Sequence, residues 1–160
     1  MKTRSLSGIV LFALSILVLS CSKDSGSKDD SIPQEQLEAI AGLYNMTEYR
    51  ISPAQDLNGD TVFSENLMDE LDCQMGSIIL REDLSYSWFN TELAITFITN
   101  QQYAIFCDVT STKTGTWDLV NNQIVLSRGD DGTYSLNEGT LTRTEGNALP
   151  GFEQLVFVKQ

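Results

Sequence analysis

The sequence predicts a mainly β domain, an antiparallel barrel or sandwich of eight or nine short strands behind a short N-terminal helix. Three observations carry this expectation. From Leu43 to the end, short apolar-alternating runs recur at regular spacing, and the breaks between them are Gly, Asn and Asp turns rather than helical patterns. A helical signature occurs only once, in IPQEQLEAIAG. Residues 33–160 have the length of one ordinary domain, enough to bury a core, and contain no repeat.

In chain order, the helix has Pro33 early, Glu35 and Glu38 on its polar side, Leu37 and Ile40 on its apolar side and Gly42 at its end. LYNMTEYRIS alternates as a half-buried strand. GSIILRE and LSYSWF form a hairpin about Glu82 and Asp83, with Leu84, Tyr86 and Trp88 on one face. LAITFIT follows, TNQQ turns the chain, and QYAIFCDVT puts Tyr103, Ile105, Cys107 and Val109 on one face. TGTWDLV and QIVLS flank Asn121 and Asn122, a pair suited to a tight turn. GDDG leads into TYSL, NEG into TLTRT, and the last strand is QLVFVK.

Ahead of the domain, Lys2 and Arg4 precede the apolar run Ile9 to Leu19, too short for a permanent span and typical of a secretory signal. Its end, VLSC, resembles the lipobox of bacterial lipoproteins. That resemblance implies cleavage after Ser20, lipidation of Cys21, and attachment to the membrane through the N-terminal lipid. Residues 1–20 are then a signal peptide, and 21–32, with SKDSGSKDD, a flexible tether before the domain at 33–160. Ser22, where inner-membrane retention calls for Asp, and the Ser-Lys-Asp start resemble outer-membrane, surface-exposed lipoproteins of Bacteroidetes.

From Cys21 onward, eight basic residues face 22 acids, a formal charge of −14, which argues against nucleic acid as a partner. Histidine is absent, so His-based triads and imidazole zinc sites are excluded. Cys73 and Cys107 in an oxidising compartment read as a disulfide closing a loop of 35 residues, counting both ends; free thiols and a nucleophilic cysteine are the alternatives. Acid pairs such as Asp69 with Asp72, or Asp130 with Asp131, lie in loop-like segments and read as solvated turns, so the chain is not expected to be an enzyme.

QDLNGDTVFSENLMDEL, residues 55–71, poses a metal question. Asp56, Asn58 and Asp60 have calcium-ligand spacing, and Ca²⁺ is the one cofactor the chain raises. Counted from Asp56, however, an EF-hand wants Gly at the sixth position and an acid at the twelfth, where this chain has Thr61 and Leu67. The competing reading is a polar turn with Asn58 and Gly59 at its tip.

In order, the lipobox, Gly42 and Tyr44 in place of Gly-x-Trp, DLNGD with NLMDELDC, SIILREDLSYSW, the second cysteine, GTW at Gly115 to Trp117 and the final LVFVK resemble the lipocalin-like lipoproteins of Bacteroidetes. The resemblance implies a small up-and-down β-barrel of about eight strands with the helix covering one end. Such barrels bind small apolar or amphipathic molecules or fill themselves with side chains. The expected interior is Tyr44, Met46, Ile79, Tyr86, Trp88, Phe97, Tyr103, Trp117 and Phe157. The alternative is a packed, non-catalytic accessory lipoprotein that contacts a protein partner.

Overall fold

The computed structural model describes residues 32–128, 132–146 and 149–160. Cys21, the expected signal peptide at 1–20 and the expected tether up to Ser31, together with Asp130 and Asp131, lie outside the described residues. Helix α1, Gln34–Ile40, leads into β1, Gly42–Gln55, and the short β2, Ser64–Asn66, is followed by a single turn of helix, α2, Leu67–Glu70. Seven further strands complete the chain: β3 Gly76–Leu80, β4 Ser85–Thr99, β5 Gln102–Val120, β6 Gln123–Ser127, β7 Thr133–Asn137, β8 Thr140–Thr144 and β9 Gln154–Lys159.

From β3 to β9 each strand pairs antiparallel with the next, and β1 pairs with both β3 and β9, which closes an eight-stranded up-and-down barrel. Strand β2 extends the wall beside the second half of β1. The tight turns are where the sequence puts them. Asn100 and Gln101, and Asn121 and Asn122, take positive φ at both central positions, as two-residue hairpin turns require. At the β3–β4 turn, hydrogen bonds from the Ser85 side chain and backbone hold the Asp83 carboxyl below its ordinary range.

Alternation on each strand drives one set of side chains inward. Tyr44, Tyr86, Trp88, Trp117, Tyr134 and Phe157 come from five different strands and pack into one buried cluster with Ile78, Leu80, Ile124, Leu126 and Leu141. Each such side chain removed from water stabilises the fold by about 1.5–3 kcal/mol. Helix α1 closes one end. Its Ile40 enters the cluster, the Tyr44 hydroxyl donates to the Ile40 carbonyl at 2.7 Å, and Lys159 Nζ donates to Ala39 O at 2.6 Å.

Two predicted pairs of strands prove to be single long ones. LSYSWF and LAITFIT fuse into β4, and QYAIFCDVT and TGTWDLV fuse into β5. No Gly or Pro separates the first pair, and Gly115 in the second stays within the ladder opposite Tyr86. The resulting hairpin outruns the barrel. Beyond Asn90, β4 has no strand neighbour but β5, and between Gln102 and Gly115 β5 has no strand neighbour but β4, among the described residues.

Candidate functional site

Of the nine residues expected inside the barrel, Tyr44, Met46, Tyr86, Trp88, Trp117 and Phe157 are buried in its core. Ile79 is a correction. In the unbroken apolar run GSIIL, Ile78 and Leu80 point inward, so Ile79 faces solvent at 37 % exposure. Phe97 is another: it shares a face with Leu93 and Ile95, but at its height there is no barrel left to enclose it, and it is 60 % exposed. Tyr103 belongs to a different core. It lies with Leu93 and Ile95 against Ile51, Leu67, Ile105 and Leu149, a small cluster under the inner face of the protruding hairpin. Val109, expected on that inward face, is exposed as well, beyond a register shift between Thr91 and Leu93.

That second core fastens the hairpin to the rest of the molecule. The Cys73–Cys107 disulfide ties the 56–75 connection to β5 with the Cα atoms 6.2 Å apart. Gln55, itself buried, donates from Nε2 to Gln101 O at 3.2 Å and accepts from Tyr103 N at 2.9 Å, a clasp on the hairpin tip. Sequence reasoning missed Ile51, Leu67 and Leu149, which sit in segments with no clean alternation.

The acids of DLNGD serve the loop itself. Asp56 accepts from Gly59 N at 2.9 Å and Thr61 N at 3.1 Å, Asn58 Oδ1 from Asp60 N at 2.9 Å, and Asp60 Oδ1 from Val62 N at 2.8 Å. Glu70 caps the turn from below, accepting from Leu57 N at 2.9 Å and Asn58 N at 3.3 Å. These are Asx-type turns, and among the described residues no three Asp, Glu or Cys side chains converge as a metal-binding group. Asp69 is engaged by Ser64 Oγ at 3.0 Å.

What this end of the molecule presents outward is apolar. On the outer face of the hairpin Ile98 and Phe106 are 58 % and 65 % exposed, and Val109 is also open. Phe63, 58 % exposed, meets Ile98 across a crevice of about 140 Å³ that Gln55 and Tyr103 also line. Acids dominate the charge around this surface: six lie between Asp56 and Asp72 and two, Glu92 and Asp108, on the hairpin, with Arg50 paired to Glu65 at 2.9 Å. A second crevice, about 360 Å³, lies at the opposite end between α1 and the Asn122 and Leu136–Gly139 turns.

Inside the barrel, near the base of the hairpin, three buried polar atoms have no hydrogen-bond partner among the described residues: Gln74 Oε1, Trp88 Nε1 and Ser111 Oγ. They belong together. Trp88 and Asn90 share the inward face of β4, Ser111 is the cross-strand partner of Asn90, and Gln74 Nε2 lies 3.5 Å from Asn90 Oδ1.

The geometry defines a closed eight-stranded barrel, compatible with a lipocalin-like fold, with an apolar hairpin protruding from an acidic end. No family model, curated protein or solved structure matches the chain. Among the described residues no helix is long and apolar enough to cross a membrane, which says nothing of β-strands.

Proposed function

We propose that this is a non-catalytic accessory lipoprotein of the outer membrane, of the lipocalin-like Bacteroidetes type, anchored through lipid on Cys21, exposed at the cell surface, and engaging a protein partner through its β4–β5 hairpin. The observation that carries the reading is the exposure of Phe97, Ile98, Phe106 and Phe63 together at one end of the molecule. Soluble domains seldom leave so many large apolar side chains grouped in the open unless something covers them. Among the described residues the outer edges of the hairpin also have no partner strand, and their remaining N–H and C=O groups suit another polypeptide and find no match in lipid chains. With these eight acids around it, the partner's matching surface is apolar with a basic rim, and anionic headgroups are repelled.

The test is a photo-crosslinking residue placed at Ile98, at Phe106 or, as a control on the far part of β5, at Asp118, in the full chain within its own envelope. One protein species should be captured at the first two positions and not at the third, and raised salt should weaken the yield. Equal yields at all three, or none, would sink the reading. Cys21→Ser should move the protein out of the membrane fraction.

A second reading, a small amphipathic ligand held in the barrel, has one observation in its favour, the unpaired indole N–H, amide oxygen and hydroxyl at Trp88, Gln74 and Ser111. Native mass spectrometry of protein from its own envelope checks it. A co-purifying small molecule lost in Trp88→Phe supports this reading, and a bare chain mass counts against it.

A further inference from the structure

Apart from Met1, the chain has three methionines, Met46, Met68 and Met75, and all three line one pocket of about 250 Å³. The pocket is a break in the barrel wall. The β1–β3 ladder ends at Asn45 and Ser77, and β1 does not meet β2 until Arg50 and Asn66, so among the described residues the edge of β1 between these points has no strand partner, and only Tyr49 N there is taken up, by Asn66 Oδ1 at 3.0 Å. Met46 reaches the opening from the barrel interior, Met68 from α2 and Met75 from the segment before β3.

Filling a gap does not by itself call for sulfur, since Leu has nearly the volume of Met and a better-defined shape. Met75 is half exposed, so it is poorly used as filler. Thioether sulfur does have one distinctive chemistry, the binding of soft cations such as Cu⁺, which hard carboxylates do not favour. The thiols that would otherwise compete are absent at this opening, because Cys73 and Cys107 are joined to each other. Beside Met46 lies the Gln74 amide, 3 % exposed, whose Nε2 donates to the Met46 sulfur at 3.9 Å and fixes its place at the opening, leaving the sulfur's second lone pair for a ligand.

We propose that Met46, Met68 and Met75 form a binding site for a soft monovalent cation of the Cu⁺ class. No electron transfer is involved, and binding is reversible coordination by three neutral sulfurs. The probe is Ag⁺, a redox-inert stand-in, added to the full chain carrying Cys21→Ser and labelled with ¹³C at the methionine methyl groups. The Met46, Met68 and Met75 methyl signals should shift together and saturate at a single equivalent, while Met1 stays in place. Met75→Leu, at a half-exposed position where the fold is not at risk, should weaken the binding. Replacing all three by Leu should abolish the saturable shift, with the thermal midpoint recorded alongside. A shift confined to Met75, a shift that never saturates, or undiminished affinity in Met75→Leu would overturn the proposal.

Discussion

Gly115 sits where β5 passes closest to the chain leaving β6. A Cβ there would lie 2.0 Å from Ser127 O and 3.0 Å from Arg128 O, both backbone atoms, and 2.8 Å from the Tyr86 ring. Neither carbonyl can swing aside as a side-chain tip would, so Gly115→Ala should destabilise the domain by about 3 kcal/mol or more, at the upper end for overpacking, as measured by urea unfolding. Two tyrosines set the alkaline limit. Burial pushes the Tyr44 hydroxyl from 10.0 up to about 12, and burial together with the Glu145 carboxylate does the same at Tyr49. Both groups bind their proton more tightly folded than unfolded, so their contribution is intact below pH 10 and falls as pH rises from 10 to about 12. Denaturant midpoints should hold below pH 10 and drop above it, and Tyr44→Phe should flatten part of that drop. At this scale the buried aromatics were readable from alternation, because Tyr86 and Trp88, or Tyr44 and Met46, are two residues apart on one face. Ile79 was not, since alternation has no phase in an apolar run. Phe97 was not either, since phase tells which face a residue takes and says nothing about whether the barrel extends that far.

At the scale of elements, β4 and β5 do two jobs with one pair of strands. Their lower halves are barrel wall, and their upper halves are a projecting ribbon held by the second core, the Gln55 clasp and the disulfide. The disulfide joins residues 34 apart, and the chain-entropy model values that at roughly 3.5–4 kcal/mol. Cys73→Ser with Cys107→Ser should lower stability by about that amount, and amide exchange should rise first in residues 91–111, with the α1 end of the barrel changing least. The pairing was legible because only two cysteines follow Cys21. The ribbon was not, since it depends on the length of β3 and β6, the flanking strands that stop and leave the hairpin alone. The single helical turn of α2 was equally hidden. It is held by the Asn66 side chain, which accepts from Met68 N at 3.3 Å, and by burial of Leu67, a contact with Ile51 and Ile105 that only the folded chain creates.

For the molecule as a whole, the formal charge of −14 from Cys21 onward works against compactness. Screening relieves that repulsion over about 10 Å at 0.1 M salt, so the thermal midpoint should rise from low ionic strength to 0.1 M NaCl and then level off. A flat response would mean that the acids are already compensated. Barrel closure has its own consequence, in time rather than in energy. Strand β1 spans residues 42–55, and the strand that seals its other edge is β9, residues 154–159. A chain delivered N-terminus first across a membrane must keep that edge waiting, open to any strand that passes, until more than ninety further residues have arrived. If the chain is exported as proposed, its route has to shield β1, and a chain stalled before Leu155 should be recognised as unfinished by proteases that leave the closed barrel alone.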